Sequence, residues 1–184
     1  MRYLRAKWIP YCAGPLFLAL AGVAVIRDPA SRSGGGQLGA IQSMAPSLGI
    51  EVRPIDAEDA GSIERGITEL SRETKAGLIV TSSRLARIHR ELIVAMAARY
   101  QLPTVYAFGI YVADGGLMSY GPDAITPYRR AASYVDRILK GEKPGDLPVQ
   151  APNNYELEIN LKAAKALGVT VPMALLARAD KVIQ

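Results

Sequence analysis

The sequence of residues 77–108 is GLIVTSSRLARIHRELIVAMAARYQLPTVYAF. It opens with a short, almost wholly apolar run and closes with another. Between them, Leu85, Ile88 and Leu92 recur at three- and four-residue spacing within the segment Arg84–Tyr100. That spacing places side chains on one face of a helix, and short apolar runs rich in β-branched residues are typical of buried strands. The stretch therefore predicts a strand, a helix and a second strand.

The same pattern occurs upstream. Apolar runs begin near Val23 (VAVI) and Ile50 (IEVRPI), and helical spacings cover Gln37–Leu48 and Ser62–Ser71, so that strand and helix repeat about every 25 to 30 residues. Parallel strands need a crossover of this length, and apolar strands are expected when helices cover both faces of a sheet. We therefore predict a three-layer α/β lobe with a parallel sheet over residues 23–112.

The regular alternation of strand and helix patterns ends after Phe108. We therefore predict a domain boundary near residue 112, with residues 113–184 forming a separate unit. Its predicted elements, in order, are a short strand at 117–120, a turn at 121–123, a long helix at 126–140, an extended connector at 142–154, a strand at 157–160, and short helices at 161–167 and 172–177.

Composition narrows the class of protein. Of the 184 residues, 49% are hydrophobic and 21% are charged, which is typical of a globular chain. The net charge is +5, but the basic residues are scattered among acids and no nucleic-acid motif is present, so we expect no nucleic-acid partner. The single cysteine, Cys12, excludes an intramolecular disulfide and a cysteine-based zinc cluster.

The first 22 residues allow three interpretations. Arg2, Arg5 and Lys7 precede an apolar run that ends in small residues, which is the outline of an export signal. The run is also close to the roughly twenty residues that a membrane tether needs. The third interpretation is a start that belongs to no functional segment.

Enzyme signatures are mostly absent from the sequence. His89 is the only histidine, no serine lies in a Gly-x-Ser-x-Gly motif, and one His with one Cys makes no typical zinc site. We therefore predict no catalytic residues, no metal and no cofactor. The stretch Ser33–Gly36 has neither dinucleotide-binding nor P-loop spacing. Either it is a glycine-rich turn, or the following helix start contacts an anionic group of a ligand.

Two positions have the chemistry of solute contacts. Thr81 and Ser82 directly follow a predicted strand, where ligands gather in open parallel sheets, but small hydroxyl residues there can equally cap the next helix. Asp123 follows a predicted turn and precedes a helix. Its carboxylate can cap that helix, or it can hold a ligand ammonium group by a charge-assisted hydrogen bond.

The sequence resembles the family of ABC-transporter substrate-binding proteins often described as TrpX-like. The stretches that carry the resemblance are VAVIRDP, GLIVTSS, LPTVYAF, GGLMSYGPD and, most specifically, YVDRILKGEKPGDLPVQAPNNYELEINLKAAKALGVTVP near the C-terminus. Together they cover about residues 23–184. The βα repeat by itself is shared by many unrelated folds.

The resemblance implies a type I periplasmic-binding-protein fold, in which two α/β lobes clamp a small solute such as an amino acid. It also implies an extracytoplasmic, periplasmic protein that is not an enzyme and that delivers its solute to an ABC permease. By the family pattern, the solute-binding residues are Asp28, Ser31, Thr81, Ser82, Tyr106, Phe108 and Asp123.

The chain resembles only the C-terminal half of the family, because Met1–Gly22 stands where a first lobe would precede VAVIRDP. By the same pattern, the helix at 126–140 and the tail that follows it belong to that missing lobe. Their apolar surfaces would then pack on something else, such as a second copy of the chain. The alternative to a working solute-binding module is a truncated α/β fragment that acts only through protein association.

Overall fold

The computed structural model describes residues 22–123, 125–152 and 154–184. Its first half alternates strands and helices, as the sequence predicts. The strands are β1 (Gly22–Arg27), β2 (Glu51–Asp56), β3 (Ala76–Val80) and β4 (Thr104–Tyr106). The helices are α1 (Arg32–Met44), α2 (Ala60–Leu70), α3 (Arg84–Ile88) and α4 (Arg90–Arg99), and a 3₁₀ turn (Ala45–Leu48) extends α1.

The second half holds four more helices and three more strands. In chain order these are α5 (Ile110–Ala113), β5 (Met118–Pro122), α6 (Thr126–Leu139), a 3₁₀ turn (Pro144–Asp146), β6 (Tyr155–Asn160), α7 (Leu161–Ala166), α8 (Met173–Leu176) and β7 (Lys181–Ile183). The turn predicted at 121–123 is partly strand, because Gly121 and Pro122 continue β5. The short strand β7 was not predicted.

All seven strands belong to one sheet, in the order β2-β1-β3-β4-β5-β6-β7. The first five are parallel, β6 runs antiparallel to β5, and β7 runs parallel to β6. The strand order reverses at β1, whose two neighbours are β2 and β3, and this is the mark of a doubly wound sheet. The predicted α/β class with a parallel sheet is confirmed.

Helices cover both faces of the sheet, which gives the predicted three layers. One face packs against α2, α4 and α5 through Ile67, Ile93 and Tyr111. The other packs against α1, α7 and α8 through Leu38, Ala164 and Leu175. Side chains such as Ile67 and Ile93 are fully buried, and each such burial stabilises the fold by about 1.5–3 kcal/mol.

The strands after residue 113 continue the same sheet. Strand β5 pairs with β4, and β6 pairs with β5. Helices α7 and α8 pack on the core of this sheet. The chain turns back after α6 and adds β6 to the free edge of β5. Helix α6 differs from the others, because none of its residues is buried.

The glycine-rich stretch also differs from its predicted form. Residues 33–36 were expected to form a turn, yet α1 begins at Arg32 and includes all three glycines. A Cβ on Gly34 would lie 3.0 Å from the carbonyl oxygen of Asp28, so this glycine allows the helix to start close to the end of β1. Packing of Leu38 and Ile41 on the sheet offsets the helix-propensity cost of about 1 kcal/mol per glycine.

Two smaller differences concern the predicted helix at 84–100 and the N-terminus. The helix is divided at His89, which both ends α3 and precedes α4. Of the segment predicted as a signal or tether, Gly22 is the first residue of β1, and residues 1–21 lie outside the described part of the chain. Among the described residues, no helix has the length and apolar character needed to cross a bilayer.

Candidate functional site

The predicted solute contacts follow strands that end on one edge of the sheet. Strands β1, β3, β4 and β5 are parallel, so their carboxyl ends share that edge. In open α/β sheets, ligands bind outside the carboxyl ends, at the point where the strand order reverses. Here that point lies between β1 and β3, and the loops after these two strands form its walls.

The loop after β1 is a turn built on Asp28. Its Oδ1 accepts a hydrogen bond from the backbone N–H of Ala30 at 2.9 Å, and its carbonyl oxygen accepts one from the N–H of Ser31 at 3.1 Å. The Ser31 hydroxyl lies 2.8 Å from that of Ser33, at the start of α1. Asp28 and Ser31 are both partly exposed, so their polar groups are open to a solute.

The three hydroxyl side chains of the loop after β3 have different environments. Thr81 is buried, and its hydroxyl donates to the carbonyl oxygen of Ile26 at 2.8 Å, which fixes β3 to β1. Ser83 caps α3 by accepting from the N–H of Ala86 at 2.9 Å. Ser82 remains partly exposed between them. Of these three residues, Ser82 therefore has the position of a solute contact.

A glutamine joins the two loops. The side-chain oxygen of Gln37, on α1, accepts a hydrogen bond from the N–H of Ser82 at 2.9 Å, and the Ser33 hydroxyl lies 3.5 Å from the Ser82 carbonyl oxygen. Gln37 was not predicted as a site residue, because one exposed glutamine on a helix forms no recognisable sequence pattern. Its hydrogen bond holds the backbone of Ser82 beside α1.

Tyr106 is the last residue of β4, and Phe108 lies two residues beyond it. The ring of Tyr106 is 1% exposed and stacks on Tyr111, with ring centroids 4.8 Å apart. Burial raises the pKa of its hydroxyl far above the usual range. Tyr106 is therefore a core side chain at the end of β4. Phe108 is partly buried and packs against the same core.

Asp123 directly follows β5 and lies three residues before the first residue of α6. One carboxylate oxygen accepts from the N–H of Ile125 at 2.8 Å, and the other accepts from the N–H and the hydroxyl of Thr126. The hydrogen bond from the Thr126 hydroxyl, followed by that from Ile125, lowers the pKa of this carboxyl. The capping role weighed for Asp123 is thus present. The carboxylate stays ionised and partly exposed, so it can also attract a cation.

Asp123 lies beyond the level at which β3 ends. Strand β4 lies between β3 and β5, and neighbouring strands lie about 4.8 Å apart, so β3 and β5 are roughly 10 Å apart. The register places Val80, the last residue of β3, level with Ser119, so Asp123 lies four residues beyond that level. Asp123 also raises the pKa of Glu156 on β6, although desolvation of Glu156 is the larger cause.

A cavity of about 180 Å³ adjoins Asp123. Arg130 and Tyr134 of α6 line one side, and Gln150 and Pro152 of the connector line the other. The Tyr134 hydroxyl donates to the carbonyl oxygen of Pro148 at 2.6 Å and so ties the connector to the helix. The sequence analysis missed this cavity, because no pattern showed that the connector folds back along α6. Within the described residues, no group of His, Cys, Asp or Glu could hold a metal ion.

Three solved structures show the same fold. A conserved domain protein of Vibrio cholerae O1 biovar El Tor has a TM-score of 0.83 and 24% identity, over 91% of this chain and 56% of its own. An ABC domain of Streptococcus pneumoniae in complex with L-Trp has a TM-score of 0.83 and 20% identity, over 97% and 60%. The ligand-free, open form of CD0873, a substrate-binding protein with adhesive properties from Clostridium difficile, has a TM-score of 0.70 and 18% identity, over 99% and 61%.

The chain thus spans between 56% and 61% of the length of these relatives. Comparison with curated protein sequences gives no match. The family model for ABC transporter substrate binding proteins matches residues 19–183, which is nearly the whole chain. With the fold and its carboxyl-edge loops, this match shows that the chain belongs to the family of ABC transporter substrate-binding proteins.

Proposed function

We propose that this chain binds a small solute at the carboxyl edge of its sheet, as the extracytoplasmic, periplasmic component of an ABC importer that passes the solute to its permease. The observation that carries the proposal is the joined pair of loops after β1 and β3, where Gln37 holds Ser82 beside the start of α1. The family match supports the solute-binding class.

The proposed solute is an amino acid. Asp123 provides an ionised carboxylate for an ammonium group, and the polar groups of Asp28, Ser31 and Ser82 lie along the same edge. The Streptococcus pneumoniae relative was crystallised with L-Trp, which makes aromatic amino acids the first candidates. The family binds substrates and passes them on, so we propose no enzymatic activity.

Isothermal titration of the chain against a panel of amino acids tests this function. We expect Asp123→Asn to weaken binding by about ten- to a hundredfold, because a hydrogen bond to a charged group contributes about 1.5–3 kcal/mol. Asparagine can still cap α6, so the helix start is retained. Asp146→Asn, on the exposed 3₁₀ turn after α6, is the matched control and should bind as the unchanged chain does.

A second candidate function rests on α6. The helix buries no side chain, which favours a fragment that acts through protein association without binding a solute. No detectable binding of any amino acid by the chain, together with clear binding by a two-lobed relative, would reject the solute-binding proposal and favour this alternative.

A further inference from the structure

Helix α6 exposes an apolar surface that the other long helices do not. On α2, Ile63, Ile67 and Leu70 are buried against the sheet. On α6, in contrast, Tyr128 is 80% exposed, Val135 54% and Leu139 82%. Large apolar side chains at such exposure are expected where a surface is covered by a partner.

The exposed side chains form one stripe. At 100° per residue, Tyr128, Ala132, Val135 and Leu139 fall within an arc of about 60° on the helix. Ala131 and Ile138 adjoin the stripe on one flank. The other flank carries charges, and the remaining face is polar. We call the four residues of the arc the α6 stripe.

The size of this surface is close to what an interface between proteins requires. The α6 stripe with Ile125 and Ile138 exposes on the order of 600 Å², against about 800 Å² per partner in a standard interface. Val149, fully exposed on the adjoining connector, adds to it. A single helix packed on the stripe would cover most of this area.

The charges beside the α6 stripe favour a second copy of α6 as the partner helix. Arg129 and Asp136 lie on the same flank, two turns apart. If a second α6 runs antiparallel and places Tyr128 opposite Leu139 of the other copy, Ala132 meets Val135. In that register, each Arg129 faces the Asp136 of the other copy, and this happens twice because a two-fold axis relates the helices.

We propose that two copies of this chain associate through antiparallel pairing of their α6 stripes, with reciprocal ion pairs between Arg129 and Asp136. Asp136 already contacts Lys140 of its own helix at 2.8 Å, and its carboxylate has a second oxygen for the arginine. The small side chain of Ala132 in the middle of the seam lets the helices approach closely. The α6 stripe itself contains none of the proposed solute contacts and none of the residues that line the cavity beside Asp123.

Sedimentation of the full chain over a range of concentrations tests the pairing. We expect a dimer that dissociates on dilution. Val135→Glu should raise its dissociation constant by at least about tenfold, because it places a charge inside the seam. Ser133→Glu adds the same charge on the polar face of α6 and should leave the dimer unchanged. A chain that is monomeric at every concentration, or equal dissociation of the two variants, would overturn the proposal.

Exchange of the charged residues tests the register. Arg129→Asp alone or Asp136→Arg alone brings like charges together twice and should weaken the dimer about tenfold. The double variant with both changes restores opposite charges and should recover dimerisation. Failure of the double variant to recover would overturn the antiparallel register. Circular dichroism confirms that each variant is folded. Solute titration of the Val135→Glu monomer separates this proposal from the binding function, which should be retained.

Discussion

Replacing Gly121 by alanine tests how closely the end of β5 packs against the loop after β4. A Cβ at this position would lie 1.8 Å from the carbonyl oxygen of Ala107 and 2.9 Å from its carbonyl carbon, where ordinary contacts are longer than about 3.4 Å. The obstacle is backbone, so no side-chain rotation relieves it. The loop after β4 and the end of β5 must move apart by more than about 1 Å.

We expect Gly121→Ala to lower the free energy of unfolding by about 3 kcal/mol, at the upper end of the usual cost of overpacking. For a chain of this size, that corresponds to a decrease in Tm of about 6–12 °C. Urea unfolding and thermal unfolding, followed by circular dichroism, measure both quantities. Gly121 lies two residues before Asp123, so the displacement should also weaken solute binding.

Gly145→Ala is the matched control. Gly145 lies on the 3₁₀ turn after α6, and an added Cβ would meet nothing within 4 Å. We expect its stability to stay within about 0.5 kcal/mol of the unchanged chain. If Gly121→Ala were as stable as Gly145→Ala, then the close approach of β5 to Ala107 would not exist, and the argument from packing would be wrong.

Three further predictions concern residues that the family pattern gives as solute contacts. Thr81→Val should lower stability by about 1 kcal/mol in urea unfolding, because it removes the buried hydrogen bond to β1, whereas Thr170→Val, at an exposed position, should not. Tyr106→Ala should cost about 3–5 kcal/mol in the same assay, and a smaller loss would show that its ring is not a core side chain. The folded-state pKa of Asp123 is lowered, so its stabilising effect is present above the unfolded pKa and is lost as the pH falls through the folded value. The stability difference between the unchanged chain and Asp123→Asn should therefore narrow between pH 7 and pH 2, and a constant difference would contradict the capping role.

Strands β1 and β3 could be predicted because they are short and almost wholly apolar and buried. The helical spacings between the apolar runs predict the crossovers. The two-residue period of β4 also predicts the burial of Tyr106, because Thr104 and Tyr106 lie on the same buried side of the strand.

Other features could not be predicted, because they depend on distant contacts. Nothing local to residues 155–160 shows that they pair with β5, since any strand edge offers the same backbone groups. The strand β7 has only three residues. The glycines of α1 are poor helix formers, and their helical form depends on the packing of Leu38 and Ile41. The hydrogen bond between Ser82 and Gln37 depends on the relative positions of α1 and the loop after β3, and the two residues are 45 positions apart in the chain.

The segment that contains α6 leaves the sheet at Asp123 and returns at Asn154, and the N–H of Asp123 donates to the carbonyl oxygen of Asn154 at 3.1 Å. Strands β5 and β6 are antiparallel neighbours, with Pro122 opposite Tyr155, so Asp123 and Asn154 form the next pair. The ends of this 30-residue excursion are therefore as close as the ends of a β-hairpin turn. This segment could therefore be replaced by a two-residue turn, or a different domain could be inserted there, without a change in the register of the sheet.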